Sequence, residues 1–119
     1  SLLNLGISYG SQGRMEEALQ RLEDGLEMTR RIHPERHSSE GKFLEAIGNI
    51  YLKQGKRDEA LAMYKKAVRI IRKTLGPASV EMGEVLVDMS RLLMDQGKYE
   101  EALHHYEELL VILRGAHGE

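Results

Sequence analysis

A phrase that recurs at a fixed spacing constrains the fold of this chain more than any other feature. Gly13, Gly55 and Gly97 follow one another at intervals of 42 residues. Each lies in nearly the same phrase, which reads SQGRMEEAL at 11–19, KQGKRDEAL at 53–61 and DQGKYEEAL at 95–103. A period between 20 and 50 residues is typical of a repeat array, in which each unit contacts only its neighbours. Such arrays usually present an extended surface to another protein, so the period favours protein binding over catalysis.

The composition argues against several classes of protein. The 119 residues include 41% hydrophobic and 30% charged residues, which is ordinary for one folded domain. The net charge of −2 leaves no basic excess to hold nucleic acid. The longest apolar run, Leu109–Leu113, is far shorter than the roughly 18 residues of a membrane span. The chain has no cysteine, so disulfides and thiolate metal sites are excluded, and we expect a cytoplasmic location.

Within each repeat the pattern predicts two amphipathic helices, A and B, that meet at the recurring glycine. Leu44, Ile47 and Tyr51 recur at the spacing of one helical face and mark helix A of the middle repeat. Gly55 is expected to end this helix in the left-handed conformation. Helix B should then extend over about 56–75.

The ends of the first two B helices divide the chain into three repeats. Pro34 and Pro77 stand where these helices should stop, because proline cannot continue a helix. Ser1 already lies inside a helical pattern, so we expect an excerpt of a longer protein whose first repeat is truncated. The predicted repeats are 1–34, 35–76 and 77–119.

The residues at matching positions form a recognisable motif. The middle copy reads Leu44-x2-Ile47-Gly48-x2-Tyr51, followed by Ala60-x3-Tyr64. The first copy reads Leu2-x2-Leu5-Gly6-x2-Tyr9 with Ala18-x3-Leu22, and the third reads Leu86-x2-Met89-Ser90-x2-Leu93 with Ala102-x3-Tyr106. This spacing resembles that of the tetratricopeptide repeat. The small residues shared by the copies should let helices A and B of each pair approach closely.

Two departures from the common repeat identify a branch of that family. The period is 42 residues rather than about 34, and the closing proline of the family is replaced by Arg30, Arg72 and Arg114. The long period and the segment 72–77, which reads RKTLGP, resemble the repeats of kinesin light chains. The resemblance implies an all-α solenoid of three helix-turn-helix repeats, with six antiparallel helices in a right-handed superhelix. Its A helices would line a concave groove. Kinesin light chains usually carry paired asparagines before the helix-A leucine, and only Asn4 is retained here, so their cargo preference is not transferred.

The resemblance also selects candidate residues for binding a partner. The helix-A positions that should point away from helix B are Leu3, Ile7, Ser11, Lys42, Glu45, Asn49, Leu52, Lys53, Glu84, Val87, Arg91, Met94 and Asp95. From this set we predict that the partner-binding residues are Lys42, Glu45, Asn49, Leu52, Lys53, Arg91, Met94 and Asp95. Their mixture of charges and apolar side chains suits an amphipathic peptide or protein segment. The alternative is an ordinary solvated face, with the true binding site elsewhere in the parent protein.

A second class of function comes from the last helix. Val111 stands where the earlier B helices carry Arg69 and Glu27, and the surrounding run is apolar. Because an array needs a polar capping face, an uncovered apolar end should associate with another surface. We therefore predict Leu109, Val111 and Leu113 as self-association residues, and an end-to-end assembly element as the alternative function.

A basic run on the second B helix has two interpretations. It consists of Lys65, Lys66, Arg69, Arg72 and Lys73. It could bind acidic partners, but one period away Lys65 aligns with Glu23 and Glu107, and Lys66 aligns with Asp24 and Glu108. We therefore favour ion pairs between neighbouring B helices on the convex face.

No pattern of catalytic or metal-binding residues is evident. His33 and His37 have Pro34 between them, and the adjacent His104 and His105 should point in different directions on a helix. The carboxylate pairs 16–17, 58–59 and 100–101 suit the first turn of helix B, where negative charge is stabilised. No glycine-rich nucleotide motif or catalytic triad pattern occurs. We therefore expect no metal, no cofactor and no enzymatic activity.

Overall fold

The computed structural model consists of α-helices and describes residues 1–33, 35 and 37–116. These residues contain no β-strand. In chain order the helices are α1 (Leu2–Ser11), α2 (Met15–Ile32), α3 (Ser38–Lys53), α4 (Arg57–Leu75), α5 (Val80–Asp95) and α6 (Tyr99–Ala116). They form three hairpins, in which α1, α3 and α5 are the A helices and α2, α4 and α6 are the B helices. The predicted all-α solenoid of three repeats is confirmed.

The turn inside each hairpin is built on the recurring glycine. Gly13, Gly55 and Gly97 have φ angles of +79°, +78° and +75°, in the left-handed region. In the middle hairpin the Gly55 amide donates to the Leu52 carbonyl at 3.0 Å, and the Lys56 amide donates to the Tyr51 carbonyl at 2.9 Å. These two bonds satisfy carbonyls at the end of α3 that have no partner within the helix. A side chain at the glycine would cost about 1–2 kcal/mol in this conformation.

The connections between hairpins follow α2 and α4, and the division into repeats 1–34, 35–76 and 77–119 stays a prediction. α2 ends at Ile32, close to Pro34, which lies outside the described residues. α3 begins after His37, whose Nδ1 accepts a hydrogen bond from the Ser39 amide at 3.1 Å. α5 begins after Ser79, whose hydroxyl accepts from the Met82 amide at 3.1 Å. Each side-chain cap satisfies an amide of the first turn and fixes where the helix starts.

Small residues let the two helices of a hairpin approach closely, as predicted. A Cβ atom added to Gly48 would lie 2.8 Å from Cε1 of Tyr64, and one added to Gly6 would lie 2.6 Å from Cγ of Leu22. Ser90 occupies the matching position in the third hairpin, where its buried Oγ has no hydrogen-bond partner among the described residues. The contact between α5 and α6 therefore contains a serine side chain where the first two hairpins have only a glycine.

Each helix makes its main contacts with the helices before and after it, and α1 also contacts α3. The core is continuous through these contacts, from Leu22 and Leu26 of α2 to Ile112 of α6. Stacking in sequence order places the A helices side by side on one face and the B helices on the other. The largest share of the cavity wall described below comes from the A helices.

Ion pairs join neighbouring B helices, but in a different register from the one predicted. Lys65 Nζ lies 3.9 Å from Glu101, and Arg72 Nη2 lies 2.7 Å from Glu108. Both pairs span 36 residues, not 42. The period aligns equivalent positions, whereas contacts also depend on the displacement of one helix along its neighbour. The spacing of 36 residues is six residues shorter than the period of 42, which corresponds to a displacement of nearly two helical turns.

Candidate binding groove

The A helices line a concave cavity of about 610 Å³, which we call the groove. Its wall consists of Leu3, Ile7, Leu22, Lys42, Glu45, Ala46, Asn49, Ile50, Leu52, Lys53, Ile71, Glu81, Glu84, Asp88 and Arg91. Of the predicted partner-binding residues, the wall brings together Lys42, Glu45, Asn49, Leu52, Lys53 and Arg91. Met94 and Asp95 are exposed at the end of α5, outside this wall. The role of these residues in binding stays a prediction.

Two acidic residues of the wall were not among the predicted groove residues. Glu81 and Asp88 lie on α5, in the same stripe as Glu84 and Arg91. The spacing of three, four and three residues between these positions places all four on one face of a helix. That spacing is visible in the sequence and could have identified them. Arg91 is thus the single basic residue in a stripe of three acids.

The Glu45 and Asp88 carboxyl groups form a pair across the groove, between α3 and α5. Glu45 is half-buried, and burial is the main cause that raises its pKa from 4.5 to about 8. A hydrogen bond with Asp88, the charge of Asp88 and the charge of Glu84 add to this rise. The raised pKa favours the protonated form of Glu45, which can donate a hydrogen bond to Asp88.

Asn49 is held in the groove by a buried tyrosine from the helix behind it. The Tyr64 hydroxyl of α4 donates to Asn49 Oδ1. Burial raises the pKa of Tyr64, the charges of Asp88 and Glu45 raise it further, and Arg91 lowers it. The phenol therefore remains a donor over the physiological pH range. With its oxygen occupied, Asn49 presents its amide nitrogen as the donor that can meet a ligand.

The basic side chains of the groove differ in whether they form a polar contact within the protein. Lys53 Nζ donates to the Gly10 carbonyl at 3.5 Å and links α3 to α1. Lys42 and Arg91 are exposed and form no ion pair in the part of the chain that the structure describes. Ile7 and Leu52 add apolar surface between these charges. The groove thus offers unpaired cations, acids and an apolar strip to a non-covalent ligand.

The histidines are arranged differently from the prediction. His104 Nε2 and His105 Nδ1 lie 3.5 Å and 3.1 Å from the same oxygen of Glu108, so the expectation that these side chains diverge was wrong. The three groups could supply ligand atoms to one metal ion. However, the other carboxylate oxygen of Glu108 already accepts from Arg72 at 2.7 Å. That guanidinium would repel a cation, so the cluster is better explained as a link between α4 and α6.

Tandem helical hairpins stacked in sequence order, with a groove along one set of helices, define the class of α-solenoid repeat proteins. Models of the tetratricopeptide repeat match residues 1–39 and 39–115. The chain therefore belongs to the tetratricopeptide repeat family. A comparison with curated protein sequences gave no match.

Solved structures with the same fold include kinesin light chain repeats. A Podosopora anserina protein described as a kinesin light chain with nearly identical TPR-like repeats is 22% identical, with a TM-score of 0.79 over 94% of this chain and 53% of its own. BtubC (BKLC) from P. vanneervenii is 20% identical, with a TM-score of 0.83 over 93% of this chain and 44% of its own. Pseudomonas aeruginosa pilF is 26% identical, with a TM-score of 0.70 over 92% of this chain and 43% of its own. The predicted likeness to kinesin light chain repeats is confirmed.

Two further findings concern the length of the chain relative to these structures and the ability of its helices to cross a membrane. The chain spans about half the length of the solved chains that it matches, or somewhat less. Among the helices of the described residues, none combines the length and the apolar character needed to cross a bilayer.

Proposed function

We propose that this chain is a protein-interaction module that holds a peptide segment of a partner in the groove. Tetratricopeptide repeats generally mediate protein–protein interaction, and arrays of this kind bind along their concave surface. The observation that carries the proposal is the 610 Å³ groove, in which Lys42 and Arg91 have no ion-pair partner among the described residues. The absence of cysteine and the net charge of −2 support a cytoplasmic protein whose partner is not a nucleic acid.

The charges of the groove suggest what such a segment carries. Lys42 lies on α3 and Arg91 on α5, so carboxylates of a ligand can be held from both helices. Exposed Glu84 can pair with a basic residue of the ligand. Ile7 and Leu52 can cover an apolar side chain between the charges. The segment that fits has an apolar anchor with charges of both signs around it.

The test begins with peptides selected by phage display against the purified chain. The double variant Lys42→Ala/Arg91→Ala should bind a selected peptide about tenfold more weakly in isothermal titration calorimetry, because partly exposed ion pairs each contribute up to about 1 kcal/mol. Arg57→Ala/Lys98→Ala removes the same charge outside the groove and should leave the affinity unchanged. Asn49 is a poor choice for substitution, since its loss would leave the buried Tyr64 hydroxyl without an acceptor. Equal affinity in both double variants would refute groove binding.

End-to-end assembly is a second candidate, supported by open apolar faces at both ends of the array. On α6 the exposed stripe consists of Tyr99, Leu103, Tyr106, Leu110 and Leu113. One period earlier, Leu61, Tyr64, Val68 and Ile71 are buried. On α1, Leu5 is 40% exposed, whereas the matching Ile47 and Met89 are 3% and 1% exposed. The two faces therefore correspond to the two halves of an inter-repeat contact, which two copies could complete.

The predicted self-association residues differ in how much of each side chain is exposed. Val111 and Leu113 are 66% and 46% exposed. Leu109 is half-buried and turns toward α5, where its Cδ1 would lie 3.6 Å from a Cβ atom on Gly83. We therefore propose that the α6 stripe, with Leu113 and without Leu109, is the associating face.

A further inference from the structure

A second cavity, of about 400 Å³, lies between the B helices α2 and α4, and we call it the basic cleft. Its wall consists of Arg30, Leu44, Lys66, Arg69, Ile70 and Lys73. The buried Leu44 and Ile70 form an apolar floor, and four cations surround it. The basic cleft and the groove share no residue.

The stacking of the B helices explains why positive charge collects here. Between α4 and α6, Arg72 contacts Glu108, 36 residues further along the chain. The same offset at the preceding contact, between α2 and α4, brings Arg30 opposite Lys66. At this contact Lys66 therefore meets a cation rather than an acid. Arg30 has Glu40 as its partner, and a carboxylate of a ligand would supply the partner that Lys66 lacks among the described residues.

One of the four cations of the basic cleft has an acidic partner within the protein. Arg30 Nε contacts Glu40 at 3.3 Å, and this carboxylate is 3% exposed. On α2, Asp24 is bonded to Gln20 and Glu27 is bonded to Arg31. Lys66, Arg69 and Lys73 form no ion pair among residues 1–33, 35 and 37–116.

The same helix provides an internal contrast. Lys65 and Arg72 belong to the same basic run, but they point toward α6 and pair with Glu101 and Glu108. The side chains of the run therefore differ in what they face. Lys65 and Arg72 join repeats, Lys66 and Lys73 line the basic cleft, and Arg69 lines both the basic cleft and a cavity that it shares with Lys65 and Glu101.

We propose that the basic cleft binds an acidic peptide segment of a partner protein, independently of the groove. Lys66, Arg69 and Lys73 are spread along two turns of α4, which is roughly 10 Å. A row of carboxylates along a peptide matches this spread better than a single compact anion does. The apolar floor of Leu44 and Ile70 accommodates an apolar side chain between the carboxylates.

The probe is a fluorescein-labelled peptide in which glutamates flank a central leucine, with a glutamine version as the control peptide. Fluorescence anisotropy at low ionic strength should show binding of the glutamate peptide but not of the glutamine peptide. Added salt should weaken the binding of the glutamate peptide. Lys66→Gln/Lys73→Gln should reduce the affinity about tenfold. Lys65→Gln/Arg72→Gln removes the same charge from the same helix and should have a much smaller effect.

A third variant separates ligand binding from a structural role. Lys66→Glu reverses one exposed charge of the basic cleft, so peptide binding should be lost while the melting temperature stays close to that of the wild type. Equal losses of affinity in the two glutamine variants, or no binding of the glutamate peptide, would overturn the proposal. It would also be overturned if inorganic pyrophosphate or anionic vesicles bound through Lys66 and Lys73 and the peptide did not. Retention of peptide binding by Lys42→Ala/Arg91→Ala would show that this site is distinct from the groove.

Discussion

Glu45 shows how one residue acquires a property that its type does not have. In the unfolded chain it is an ordinary glutamate with a pKa of 4.5. In the fold, burial and the proximity of Asp88 raise that pKa to about 8. The native protein therefore binds a proton that the unfolded chain has released, across the interval between these two pKa values. By linkage, the contribution of Glu45 to the free energy of unfolding is greatest below pH 4.5 and declines until about pH 8.

We expect the melting temperature of the wild type to decrease as the pH is raised from about 4.5 to about 8. Glu45→Gln can still donate a hydrogen bond to Asp88 but cannot ionise, so the decrease should be smaller in this variant. Circular dichroism melts at several pH values measure the effect. Glu59→Gln, an exposed change in the first turn of α4, serves as the control and should keep the slope of the wild type. Parallel slopes for wild type and Glu45→Gln would contradict the raised pKa.

At the scale of the helices, single glycines at equivalent positions determine how closely the two helices of a hairpin can approach. Gly41 of α3 and Gly83 of α5 are one period apart. A Cβ atom on Gly41 would lie 2.5 Å from Cγ1 of Ile71. On Gly83 the nearest atom would be Cδ1 of Leu109, at 3.6 Å. The α3–α4 contact at Gly41 has no room for a methyl group. The α5–α6 contact at Gly83 accepts one at an ordinary van der Waals distance.

The two glycines should therefore respond in opposite ways to the same change. Gly83→Ala should stabilise the protein by up to about 1 kcal/mol, because alanine is a better helix former than glycine. Gly41→Ala should destabilise it, because the overpacking against Ile71 costs about 1–3 kcal/mol. Urea denaturation of both variants gives the two free energies of unfolding. If Gly41→Ala were as stable as Gly83→Ala, the close contact between α3 and α4 would be wrong.

For the whole molecule, a stack that contacts only its neighbours has two different ends. The outer face of α6 and the outer face of α1 correspond to opposite sides of an inter-repeat contact, as the burial of Ile47 and Met89 in the interior shows. Contact between such unlike faces does not close on itself. Copies joined in this way would form open chains rather than a dimer with twofold symmetry.

We expect wild-type particles whose mean mass in light scattering grows with protein concentration. Leu103→Glu/Leu110→Glu, which places charge on the α6 stripe, should stay monomeric, and so should Leu5→Glu on α1. Mixing these two variants leaves one intact face of each kind, so the mixture should stop at a dimer. Sedimentation velocity distinguishes these states. A wild type that is monomeric at every concentration, or a mixture that does not dimerise, would exclude head-to-tail assembly.

Much of this structure could be predicted because its signals are local. The apolar spacing of Leu44, Ile47 and Tyr51 determines a helical face, and Gly55 supplies the left-handed turn that closes the hairpin. Repetition of this local pattern predicts stacking in sequence order. The resemblance to tetratricopeptide repeats, rather than the repetition itself, implies which helices line the groove, and six of the proposed binding residues do lie in its wall.

The sequence by itself determined the hairpins, their number and their order, because each depends on residues within a few helical turns. Only the tertiary structure decided which charges meet between repeats, because that depends on how far each B helix is displaced along the next. The displacement pairs Arg72 with Glu108 and leaves Lys66 facing Arg30. It is likewise the placement of α3 and α5 on opposite sides of the groove that brings Glu45 to Asp88, residues 43 positions apart that no local pattern connects.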